Sequence, residues 1–125
     1  MERDGIRLAP IAVDDQDGLV DFARKQGVDF AIIGPEQPLT EGLVDRFEAS
    51  GLRAFGPSAR AARIEGSKEF AKQVMAAAGV PTAQYQAFTD YDQAASYVEE
   101  QGAPIVVKAD GLAACKGVVV ATTVD

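Results

Sequence analysis

The stretch VDFAIIGPEQPLTEGLVDRFEASGLRAFGP, residues 28–57, decides the fold. It opens with an apolar run over residues 28–33 that Gly34-Pro35 ends, and it reads as a buried strand. Thr40 then offers an N-cap after Pro38, and Leu43, Val44 and Phe47 recur at helical spacing before Gly51. A second short apolar run, residues 52–55, stops at Gly56-Pro57. Strand, helix and strand with turn signals between them form the pattern of a parallel sheet with helical crossovers.

Toward the N-terminus, residues 7–13 read as a strand that Pro10 confines to an edge. Leu19, Phe22 and Ala23 then mark one face of a helix that Gly27 closes. Toward the C-terminus, residues 58–79 read as two helices bent near Gly66-Ser67. The second is expected to bury Phe70, Ala71, Val74, Met75 and Ala78. Val80-Pro81-Thr82 is the clearest boundary, dividing the chain into 1–81 and 82–125. Beyond it a strand is expected over 85–88. Asp90 caps a helix carrying Tyr91, Ala94, Ala95 and Val98, which Gly102 ends. Residues 104–108 and 118–121 are β-branched strands flanking a loop. The class is α/β: a parallel βαβ, Rossmann-like first part, followed by the start of a second, smaller unit.

Composition narrows the chemistry. The chain has 125 residues, no His, one Cys, and 12 Lys+Arg against 19 Asp+Glu, a net charge of −7. Without His there is no Ser-His-Asp triad and no His-ligated metal. One Cys closes no internal disulfide. The acidic balance argues against nucleic acid as a partner, and no apolar run approaches the ~20 residues of a membrane span. The charged start, MERDGIR, is unlike a signal peptide, so a reduced cytoplasmic setting is expected.

Three segments carry candidate chemistry. KADGLAACKGV, residues 108–118, places small residues and two lysines between strands. Small side chains let backbone N–H groups approach an anion, and ammonium groups neutralise it. By pattern alone a plain hairpin with two solvated lysines is the commoner reading. It is neither a Walker A loop nor GxGxxG. In GSKEFAK, residues 66–72, Lys68 sits near a helix start, where positive charge is mildly unfavourable. It either reaches for a phosphate or is simply solvated. Gly34-Pro35-Glu36 follows the carboxyl end of a strand, where open α/β sheets bind ligands, and equally suits a rigid turn.

Together, IGPEQPL (33–39), FGP (55–57), EGSKEFAK (65–72), GVPT (79–82) and VKADGLAA (107–114) resemble one family, the phosphoribosylamine–glycine ligases (glycinamide ribonucleotide synthetases) of the ATP-grasp superfamily. The resemblance runs from about residue 6 to the end. It implies a partial pre-ATP-grasp domain with a linking helix over 1–81, and part of the ATP-grasp small lobe over 82–125. It implies the joining of glycine to 5-phosphoribosylamine at the expense of ATP, in purine biosynthesis. By matching position, Lys68 and Lys108 would contact ATP phosphates. Gly111, Leu112, Ala113, Ala114, Cys115, Lys116 and Gly117 would form a flap over them. Gly34, Pro35 and Glu36 would lie near the phosphoribosylamine pocket. Mg²⁺ or Mn²⁺ is expected in the full-length enzyme, on ligands outside this chain. The resemblance also has departures. A glycine-rich N-terminal loop is missing, the chain stops within the small lobe, and Cys115 stands where the family has Gly. A fragment without turnover of its own is therefore expected, with open sheet edges that invite self-association.

Overall fold

A computed structural model describes residues 5–112 and 117–123. The chain divides into two compact units, Met1–Ala62 and Arg63–Asp125. The first holds helix α1 (Gln16–Gln26), strand β1 (Ala31–Ile32), helices α2 (Glu36–Thr40) and α3 (Leu43–Ala49), and strand β2 (Ala54–Phe55). Helix α4 (Ala59–Gly66) carries the chain from one unit into the other. The second unit continues with helices α5 (Lys68–Ala77) and α6 (Tyr91–Gln101) and strands β3 (Ile105–Lys108) and β4 (Val118–Ala121).

Local chemistry sets the ends of α1. Asp15 accepts a hydrogen bond from the Gly18 N–H at 2.9 Å, and Gly27 donates its N–H to the carbonyls of Ala23 and Arg24. Val20 and Ala23, rather than Phe22, turn inward and pack with Leu43 and Phe47 of α3. Phe22 is 38% exposed.

β1 and β2 are parallel, with Ala31 opposite Ala54 and Ile32 opposite Phe55. The pairing continues past the strand in the Ile33 N–H to Phe55 carbonyl bond of 3.0 Å. Ala31 and Ala54 pack on the helices, whereas Ile32 and Phe55 point the other way, the period-two alternation of a sheet covered on one face. A second cluster, Leu39, Val44 and Ala62, meets the first through Ile33 and Ala54. The α/β class and the βαβ unit are as the sequence implies.

Three expectations are corrected. First, the helix placed from Thr40 is two helices, α2 beginning at Glu36. Pro38 is tolerated because it lies in the first turn, where a backbone N–H has no helical partner. Gly42, at φ 90°, breaks the run and starts α3. Second, residues 7–13 form no strand. The Ile11 N–H turns back to the Ala9 carbonyl around Pro10, so the segment is bent. Third, residues 85–88 form no strand. There Phe88 packs on Tyr97 of α6, with ring centroids 5.2 Å apart, so the segment is held by side chains rather than by a ladder.

The predicted break at Gly66-Ser67 is present between α4 and α5, but of the five side chains expected to be buried only Ala71 is fully so. α6 buries none completely, and Tyr91 is exposed. β3 and β4 form an antiparallel hairpin, Ile105 opposite Ala121 and Lys108 opposite Val118.

Gly56 shows how tightly the first unit closes. A Cβ built there would lie 2.8 Å from Leu39 Cδ2 and 2.8 Å from Val44 Cγ2, both on buried residues. Gly56→Ala is therefore expected to destabilise the first unit by about 1–3 kcal/mol through overpacking. A urea titration of the variant followed by far-ultraviolet circular dichroism measures it.

Candidate functional site

The second unit brings two of the sequence motifs together at the N-terminus of α5. A helix start leaves four backbone N–H groups without helical partners. Here Ser67 is the N-cap, its Oγ accepting the Phe70 N–H at 3.1 Å, and its own N–H reaches the Arg63 carbonyl at 2.9 Å. The remaining two are taken from across the unit. Asp110 Oδ1 accepts the Lys68 N–H at 2.6 Å and the Glu69 N–H at 3.4 Å, while its Oδ2 accepts the Ser67 hydroxyl at 2.9 Å.

Lys68 returns the contact. Its Nζ donates to the Gly111 carbonyl at 2.7 Å, so the ammonium is fixed where the chain leaves β3 for the loop. An ammonium has three donors, and this bond uses one of them. The hairpin ladder extends one step beyond the strands through the Ala109 N–H to Gly117 carbonyl bond of 2.7 Å. Lys108, the last residue of β3, is exposed, as is Leu112. Of the other flap positions, Ala113, Ala114, Cys115 and Lys116 lie outside the described residues.

Lys72, from the same sequence motif as Lys68, is engaged elsewhere. Its Nζ donates to Thr82 Oγ1 at 2.6 Å and to the Ala83 carbonyl at 2.8 Å, and lies 5.5 Å from the Tyr85 ring centroid. It therefore clips residues 82–85 to α5.

The carboxyl of Asp110 is held below its ordinary value. Desolvation pushes it up, but hydrogen bonds from the Ser67 hydroxyl and the backbone N–H groups of Lys68, Gly111 and Glu69 together pull it down. A carboxylate with a lowered folded-state value stabilises the fold above the ordinary aspartate range. That stabilisation is lost as pH falls through the depressed value. The second unit is therefore expected to lose stability on acidification below about pH 4, and Asp110→Asn to flatten that part of the profile. Thermal melts monitored by tyrosine fluorescence between pH 6 and pH 3 would measure this, since Tyr85, Tyr91 and Tyr97 all lie in this unit.

In the first unit, Gly34 precedes α2, Pro35 is its N-cap residue without a side-chain cap bond, and Glu36 is its first residue. A shallow depression nearby in sequence is lined by Asp14, Asp15, Gln16, Asp17, Glu41 and Arg46, with Arg46 and Asp17 paired. Its acidic lining suits no phosphate. Among the described residues, no group of three or more His, Cys, Asp or Glu is placed to hold a metal ion, and no helix is long and apolar enough to cross a membrane.

Sequence reasoning singled out Lys68 and Gly111, which the fold joins, but missed Ser67 and Asp110. Ser67 was legible as a helix-capping residue ahead of Lys68. Asp110 was not, because its partners lie 41–43 residues away.

Residues 2–65 match the N domain of phosphoribosylglycinamide synthetase, and residues 66–125 match its ATP-grasp (A) domain. A Listeria innocua protein named phosphoribosylamine–glycine ligase is 56% identical over all 125 residues, which span 30% of its own length. One of the same name from Xanthomonas campestris is 58% identical over 117 residues, 94% of this chain and 27% of the relative. A third, from Streptococcus suis, is 51% identical over 125 residues and 30% of its length. The chain thus spans about 30% of the length of such relatives. With the match to the N domain followed along the chain by the match to the ATP-grasp domain, it belongs to the phosphoribosylglycinamide synthetase family.

Proposed function

We propose that this chain supplies the phosphoribosylamine-side domain and part of the ATP lobe of a cytoplasmic phosphoribosylamine–glycine ligase. In that reaction the carboxylate of glycine attacks the γ-phosphorus of ATP, and the bond to the bridging oxygen breaks to release ADP. The amine of 5-phosphoribosylamine then attacks the acyl phosphate and displaces inorganic phosphate. Phosphoryl transfer is served mainly by positioning and charge neutralisation, so a chain without His is adequate to it.

Lys68 and Lys108 are the cations for the ATP phosphates, and residues 111–117 are the flap over them. Gly34, Pro35 and Glu36 line the phosphoribosylamine side. The observation that carries this reading is the Lys68 ammonium bonded to the Gly111 carbonyl, which sets a positive charge at the root of a loop of small residues. Mg²⁺ or Mn²⁺ would neutralise the transferring phosphates and takes its ligands from the remainder of the enzyme. The isolated chain is proposed to be inactive. Among the described residues its two-stranded sheets have open edges, through which it is proposed to self-associate, and a clean monomer by light scattering would count against that.

The test exchanges these 125 residues for the aligned segment of the Listeria innocua relative. With hydroxylamine in place of phosphoribosylamine, the chimera is expected to form glycine hydroxamate and ADP from ATP and glycine. ADP release that ignores glycine overturns the reading and favours a nucleotide-binding module of another activity.

A further inference from the structure

We infer that Asp110 is a positioning residue, a latch that ties the root of the 109–117 loop to the N-terminus of α5 and thereby fixes where the Lys68 ammonium stands. The bonds run both ways between the two segments. Asp110 receives the Ser67 hydroxyl and the Lys68 and Glu69 N–H groups, while Lys68 Nζ reaches forward to the Gly111 carbonyl. A single hydrogen bond between exposed segments orders little, but four converging on three consecutive helix-start residues and two loop residues remove most relative freedom. The carboxylate also lies against the positive end of the α5 macrodipole, offsetting the unfavourable placement of a lysine there. The lowered value of its carboxyl has the same origin.

The alternative is an ordinary helix cap, and the geometry argues against it. Ser67 already caps α5 from its own chain segment, through the Phe70 N–H. A cap delivered in addition from 42 residues away couples the helix to the loop, whatever it adds to the helix. The glycine that follows Asp110 sits at φ 88°, in the left-handed region, so the turn presents its carbonyl to Lys68 in a conformation that most residues resist. The functional consequence rests on the phosphate role proposed for Lys68; the latch itself does not.

Two measurements separate the latch from that role. In the 125-residue chain, the amide resonances of Lys68 and Glu69 are followed by NMR from pH 6 to pH 2.5, with hydrogen exchange at pH 6. The charged neighbours on α5 and β3 are Lys68, Glu69 and Lys108, and Asp110→Asn isolates the part of the shift that belongs to Asp110. Both amides are expected to shift with a midpoint below the ordinary aspartate range, and the shift to vanish in Asp110→Asn. Asp110→Ala is expected to speed exchange of both amides by about 10-fold or more, the loss of a charge-assisted bond. Asp110→Asn, which keeps an acceptor, is expected to fall between. The Ala78 and Gly102 amides, bonded within the second unit to the Val74 and Val98 carbonyls, serve as the folding control. Amides that do not move through the acid range, or that exchange at wild-type rates in a folded Asp110→Ala, overturn the latch. In the Listeria chimera, Asp110→Ala is expected to raise KM for ATP about 10-fold more than it lowers kcat, with Asp110→Asn partly restoring it. An unchanged KM overturns the positioning role. A chimera inactive even with Asp110 in place overturns the ligase reading instead, and the NMR result still decides the latch.

Discussion

Phe47→Ala is expected to destabilise the first unit by about 3–5 kcal/mol, enough to unfold it. Phe47 is 4% exposed and packs with Val20, Ala23 and Leu43, so its removal empties the centre of the larger cluster. A unit of about 62 residues has a net stability of only several kcal/mol, so the loss has little to draw on. Its backbone is also engaged, the Phe47 carbonyl accepting the Ser50 and Leu52 N–H groups where α3 turns into β2, so a relaxed cavity propagates into the sheet. The chain offers an internal comparison. All three tyrosines lie in the second unit and there is no Trp. Far-ultraviolet circular dichroism should lose the helical signal of α1 and α3 at a lower temperature, while the tyrosine transition keeps its wild-type midpoint. A tyrosine midpoint that falls equally would mean the units fold as one.

In the Listeria chimera, Lys68→Ala is expected to lower kcat/KM by about 10²–10³-fold, the effect of removing one preorganised charge from a transferring phosphoryl group. Lys72→Ala, four residues on, is the comparison. Its ammonium is committed to Thr82, Ala83 and the Tyr85 ring, so its loss is expected to appear as lower stability of the second unit with catalysis within a few-fold of wild type. The sequence singles out Lys68 by its place near a helix start, and Lys72 lies in the same GSKEFAK segment. Equal catalytic losses would show that proximity to the Gly111 carbonyl does not single out Lys68.

The pair shows what was legible and what was not. Local signals carried α1, closed at Gly27, the α4–α5 break at Gly66-Ser67, the cap of α6 by Asp90, and the hairpin of β3 and β4. Each is decided by residues within a few positions of one another. Where a segment's state depends on a distant partner, the pattern failed. Residues 7–13 and 85–88 are apolar enough for strands, but Pro10 bends the first, and the second finds the Tyr97 ring instead of a neighbouring strand. The start of α2 at Glu36 was hidden by Pro38, a helix breaker everywhere except the first turn. The candidate site divides in the same way. Lys68 and the loop after Lys108 stand out as motifs, whereas the carboxylate that joins them reads from sequence only as part of an Asp-Gly turn.

The most direct measurement of the central claim, that these residues work as part of a glycine-activating ligase, is ADP release by the chimera as glycine and 5-phosphoribosylamine are varied independently. One ADP per glycinamide ribonucleotide, with release falling to background when either substrate is omitted, is the predicted result. A folded chimera that releases ADP at the same rate without one of them, or that releases none, would contradict it.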